Sequence, residues 1–85
     1  MKLRKNVAVS ESGLVFNPLS GESFTVNPIG IEILDLLRQE KSGKEIIDQI
    51  TAKYAADPST FDKDYTDFVG LLSSYNLLEN EEKKA

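Results

Sequence analysis

A chain of 85 residues makes one small domain, and at that length only roughly two-thirds of the unfolded surface is buried, too little to enclose a deep catalytic cavity. The sequence contains neither Cys nor His, which excludes disulfides and thiolate metal sites and removes the commonest general base and the commonest metal ligand. Its net charge of −4 argues against a nucleic-acid backbone as main ligand, because such binding rests on clustered Lys and Arg.

The opening stretch MKLRKNVAV is basic but lacks the apolar run of a signal peptide, and no segment approaches the roughly 20 apolar residues of a membrane span. A cytoplasmic protein is the expectation. Val7 and Val9 alternate with Ala8 and Ser10, ESG supplies a glycine-ended turn, and LVFN reads as a second strand. PLSG then turns the chain, with Pro18 setting the bend and Gly21 free to take positive φ. In the third strand, Glu22 to Val26, the residues Phe24 and Val26 share one face and Ser23 and Thr25 the other. The three strands form an antiparallel meander whose last member has a neighbour on one side only.

The period then changes from two to between three and four. Ile29, Ile33, Leu36 and Leu37 share a helical stripe, and Asn27 with Pro28 supplies a cap and a first-turn residue that needs no amide donor. Strand therefore runs into helix with no loop between, over a first helix expected from about Pro28 to Glu40. Ser42 with Glu45 forms a capping box that starts a second helix carrying Ile46, Ile47, Ile50 and Tyr54 inward. AADPST breaks it, because Pro58 cannot continue a helix interior. In the third helix Phe61, Tyr65, Phe68, Leu72 and Tyr75 lie on one stripe, and Asn76 is a left-handed stop. Gly70, mid-helix, fits either close approach of another backbone or simple tolerance. The charged end, 79–85, reads as a disordered tail on a domain spanning 1–78. The fold class is α+β: a three-stranded antiparallel sheet followed by three helices, resembling a winged helix-turn-helix.

Little of this can carry chemistry. Asp62, Asp64 and Asp67 are spaced like calcium ligands, but the central glycine and bidentate Glu of such a loop are missing, and carboxylates near a helix start are favoured by its dipole. No metal or cofactor site is expected. No carboxylate is marked as a general acid, and the Ser10–Ser12 stretch has no partner base, so no catalytic residue is assigned. A DNA-reading helix needs Arg, Lys, Asn or Gln, whereas the third helix sets Lys63 against three Asp. Phe68 and Leu72 fit a core stripe. Phe61 and Tyr65 lie near the helix start, where a three-stranded sheet is too narrow to cover them.

In order and spacing, SFTVNPIGIEILDLL, SGKEIIDQITAKY and FDKDYTDFVGLLSSYNLL resemble the PqqD family of pyrroloquinoline quinone biosynthesis, over about Val7 to Leu78. The resemblance implies a peptide-binding module, the RiPP recognition element, in which the leader of a precursor peptide adds as a strand to the third strand against the third helix. The bound peptide is presented to a modifying enzyme, typically a radical S-adenosylmethionine protein. Carried over by position, Ser23, Phe24, Thr25 and Val26 would supply the strand, and Phe61, Asp64, Tyr65, Phe68 and Leu72 the helix wall. The family often has Gly where this chain reads RQEKSGK after the first helix, and near the end of the third, where it has Asn76. A non-catalytic peptide chaperone, monomeric or weakly dimeric, is therefore expected, without nucleic acid or membrane as partner. A DNA-binding winged helix and a structural protein–protein interaction domain are the alternatives.

Overall fold

The computed structural model describes residues 2–79. Along the chain lie β1 (Lys2–Leu3), β2 (Ala8–Val9), β3 (Leu14–Asn17), β4 (Glu22–Thr25), α1 (Pro28–Arg38), α2 (Gly43–Tyr54), α3 (Pro58–Ser74) and β5 (Leu78–Glu79). Strands β2, β3 and β4 form the expected antiparallel meander in that order. Beside it stands a two-stranded sheet that periodicity did not reveal, with Lys2 opposite Glu79 and Leu3 opposite Leu78. The tail expected at 79–85 thus begins inside β5, while 80–85 lie outside the described residues.

The corner between β4 and α1 is fixed by three close contacts. Asn27 caps α1 by accepting a bond from the Gly30 amide at 2.8 Å, and the Val26 amide reaches across to the Gly13 carbonyl at 2.8 Å. A Cβ on Gly13, whose φ is +96°, would stand 2.3 Å from the Val26 carbonyl oxygen, and one on Gly30 would stand 2.9 Å from the Val26 Cβ. Only glycines permit both approaches.

Helix ends mostly obey local chemistry. The Ser42–Glu45 capping box is present. α1 stops at Arg38 rather than Glu40, because Glu40 turns left-handed at φ 64° and its amide and that of Lys41 bond back to Leu37 and Leu36, a closure usually made by glycine. Asn76, at φ 64°, closes α3 in the same way.

One core joins the layers, with Val15, Leu34, Leu37, Ile46, Ile50, Leu72 and Leu77 almost wholly excluded from water. Three expectations change. Phe61 and Tyr65 are buried, at 8% and 7% exposure, because the other helices cover them: Phe61 lines one pocket with Ile29 and Ile33 of α1, and the Tyr65 ring lies against Gly43 of α2, 3.4 Å from where a Cβ would stand. Tyr54 is exposed, its hydroxyl donating to Glu32 on α1 instead of entering the core. Tyr75 also leaves the core, drawn onto the ring of Phe24. Gly70 faces open space, with nothing within 4 Å of an added Cβ.

Candidate functional site

The thinnest dimension of the chain is 19 Å, room for two layers of secondary structure packed about 10 Å apart. A ligand must then lie on the surface, and the two edges of the meander are where backbone groups remain to be paired. The ladder settles which groups these are. The Val26 amide bonds Gly13 and the Ser10 amide bonds Leu14; in an antiparallel pair, bonded and non-bonded positions alternate. Given the registers of β3 with its neighbours, Phe24 and Val26 direct their amides and carbonyls to β3, while the Glu22 amide bonds the Ser20 hydroxyl in the turn. Ser23 and Thr25 direct theirs away from it. Among the described residues no strand lies beyond β4.

The opposite edge is less open. Val7 there has its carbonyl taken by the Arg38 guanidinium at 3.0 Å, and Ser10 is tied into its turn, leaving only Val9 with outward groups. A cleft of about 760 Å³ lies between that edge and the two helices α1 and α2. On its wall Lys53 pairs with Glu32 at 2.9 Å. The hydrogen bonds from Tyr54 and Lys53 hold the Glu32 carboxyl below its ordinary range.

Just after β4 in the chain, Asn27 lines a pocket of about 250 Å³ with Ile29, Gly30, Ile33, Phe61, Asp64 and Phe68. Its walls are the first turns of α1 and the first half of α3. Beyond the far end of α3, Tyr75 stacks on Phe24 of β4, ring centroids 5.0 Å apart and planes 21° from parallel. That contact closes the far end of the groove. Asp64, Phe68, Leu71 and Tyr75 recur at i, i+4, i+7 and i+11 and so form one row along α3 and its cap. Phe68 is half-buried; the other three are exposed.

The residues expected at the site therefore separate. Ser23 and Thr25 carry the outward backbone groups, and Phe24 and Val26 are half-buried on the groove side of the strand. Phe61, Asp64 and Phe68 meet at the pocket. Tyr65 and Leu72 are packed inside, Leu72 with no exposure at all. Leu71 and Tyr75 are not among the residues expected at the site, although the 3.6-residue period aligns both with Asp64 and Phe68. Asp62, Asp64 and Asp67 all stay exposed on α3, and no group of three or more such side chains that could hold a metal is found among the described residues. No helix there is long and apolar enough to cross a membrane.

Two solved structures share this architecture. "TbiB1 in Complex with the TbiA(beta) Leader Peptide" is 29% identical over 98% of this chain and 100% of that one, with a TM-score of 0.83. "Lasso peptide synthetase B1 complexed with the leader peptide" is 20% identical over 93% and 96%, with a TM-score of 0.79, a likeness of fold alone. A search of curated protein sequences gives no significant match. The family model described as Coenzyme PQQ synthesis protein D (PqqD) matches residues 13–78, from the turn before β3 through the first residue of β5, and the chain belongs to that family.

Proposed function

We propose that the protein is a non-catalytic chaperone that binds the leader of a ribosomally made precursor peptide as an added strand on β4, and presents it to a modifying enzyme such as a radical S-adenosylmethionine protein. The observation that carries this is the β4 edge: two outward-facing amide and carbonyl pairs, at Ser23 and Thr25, beside a groove whose other wall is α3. An antiparallel leader residue opposite Phe24 turns its side chain into the groove, toward Phe68, Leu71 and Tyr75. Residues opposite Ser23 and Thr25 stay on the outer face. The two solved structures compared above are leader-peptide complexes, which supports the assignment. The exposed face of α3, with Asp62, Asp64 and Asp67 against one Lys63, repels a phosphate backbone and disfavours the DNA-binding alternative.

Amide exchange tests the mode directly, with the TbiA(beta) leader peptide as the probe. In the free protein Ser23 and Thr25 exchange fast while Phe24 and Val26 are protected by β3. With peptide bound, Ser23 and Thr25 slow and the other two do not change. Binding that leaves Ser23 and Thr25 unprotected rules out strand addition on β4.

A further inference from the structure

Tyr75 closes the groove, yet it stands at the C-cap of α3, where helices fray. The next residue is what holds it. Asn76 is left-handed, at φ 64°, and both of its oxygens accept from one side chain. The Arg4 guanidinium donates through Nε to the Asn76 carbonyl at 2.8 Å and through Nη2 to the side-chain oxygen at 3.3 Å. The Arg4 amide donates to the Leu77 carbonyl at 2.9 Å. One residue thus clasps the chain just past Tyr75. Arg4 is itself fixed by the buried Leu3 and Val7 on either side, and its carbonyl accepts from the Val7 amide. The planar fork of a guanidinium suits two acceptors side by side, where a lysine ammonium would reach one. Both acceptors are uncharged, so the contact supplies position rather than charge neutralisation.

We propose, resting on the leader-binding function above, that Arg4 is a positioning residue of the leader site: by clamping Asn76 it holds the Tyr75 ring on Phe24 and keeps the end of the groove in place before the leader arrives. Arg4 sets Asn76, Asn76 sets the backbone of Tyr75, and the Tyr75 ring lies on Phe24, opposite which a residue of the added strand turns into the groove. A wall ordered in advance spares the leader the cost of ordering it. Arg4 lies outside residues 13–78, the stretch that the family model matches, so the pairing of β1 with β5 contributes to recognition from beyond that stretch.

The TbiA(beta) leader peptide is the probe, with Arg4→Ala, Arg4→Lys and Tyr75→Ala as variants. In the free protein, NMR should show the Tyr75 and Phe24 ring protons, shifted upfield by their stacking, returning toward unstacked values in Arg4→Ala. The amides of Phe24 and Val26 should stay protected, which verifies the fold. Calorimetry should show Arg4→Ala weakening the peptide by about two- to tenfold, the scale of an aromatic contact. Arg4→Lys should recover only part of that loss; full recovery would assign the effect to charge and overturn the proposal. In a Tyr75→Ala background Arg4→Ala should cost nothing further, since residues that act through one another are not additive. A full second loss there overturns the proposal. Equal affinity of the parent and Arg4→Ala does the same and leaves leader binding standing. Should Arg4→Ala unfold, Asn76→Gly takes its place: glycine keeps the left-handed turn and removes one of the two acceptors, and it should free the rings and weaken the peptide in the same sense. A parent that binds no peptide, while Arg4→Ala still frees the rings, sinks the leader-binding function and leaves the clamp standing.

Discussion

Tyr65 separates the core from the site, and removing one atom tests the division. Its hydroxyl is inaccessible to water and has no hydrogen-bond partner among the described residues. A buried hydroxyl left unpaired costs about 1–3 kcal/mol, while the dispersion contacts of a single oxygen are worth only about 0.1–0.2 kcal/mol each. Tyr65→Phe should therefore stabilise the fold by about 1 kcal/mol, or about 4–8 °C in Tm for a domain of this size. Burial also pushes the Tyr65 phenol above its ordinary value. The folded state then holds that proton more tightly than the unfolded chain does, so the phenol's contribution, complete below about pH 10, is lost as pH rises further. Tyr65→Phe should shrink this alkaline loss, leaving the part due to Tyr54, whose phenol is raised by its bond to Glu32. Leader affinity should not change, because the ring lies against Gly43 on α2. Thermal and urea unfolding at pH 7 and pH 10.5, with calorimetric titration of the precursor, read all three. A lower Tm would show that the hydroxyl has a partner, and weakened leader binding would show that the groove reaches it.

Leu72→Ala should destabilise by about 2–5 kcal/mol in urea unfolding, the range for truncating a buried leucine, since Leu72 is wholly enclosed. Ala55 holds φ 53° at the C-cap of α2, where a Cβ is unfavourable, and Ala55→Gly should raise stability by about 1 kcal/mol. Phe68→Ala should weaken the precursor by about 1–2 kcal/mol by calorimetry, while Lys53→Ala, on the far cleft, should leave affinity unchanged. The Glu32, Glu45 and Asp57 carboxyls are held low, chiefly by bonds from Tyr54, from the Ser42 backbone and from the Ser59 hydroxyl respectively. Each binds its proton less readily folded than unfolded, so their stabilisation is complete above the ordinary carboxylate range near about pH 4 and disappears as pH falls through the lower folded values. Urea midpoints should be flat from pH 7 to 5 and fall below about pH 4.

What the sequence discloses here is mainly local chemistry. Asn27 with Pro28, Ser42 with Glu45, Gly21 and Asn76 each satisfy or break backbone groups within a few residues, and each acts as its type suggests. The β4 edge follows from strand order alone. The pairing of β1 with β5 does not, because two-residue strands have no period and their partners stand at opposite ends of the chain. The stop at Glu40 hides for a different reason: a glutamate takes the left-handed position that glycine would advertise. The α3 stripe misleads in a third way. Periodicity finds one face of the helix, but whether Tyr65 or Asp64 meets the groove depends on α2 lying over one side of that face.

The corner between β4 and α1 connects this architecture to recognition. Bonds between an added strand and Ser23 or Thr25 replace bonds that water already makes, so their net contribution is about 0.5–1.5 kcal/mol each. That gain survives only if the edge is held in direction before the peptide arrives, since ordering it during binding would consume the same energy. Gly13, Val26, Asn27 and Gly30 hold it, one residue from Thr25, through contacts that a Cβ at either glycine would break. The backbone bonds carry no sequence information. In the proposed binding mode discrimination falls to the pocket at Phe61, Asp64 and Phe68 and to the ring of Tyr75 on Phe24, both reached by side chains that the edge sets in register. An 85-residue chain two layers thick cannot surround its ligand, and a rigid edge beside a helix lets it be selective without doing so.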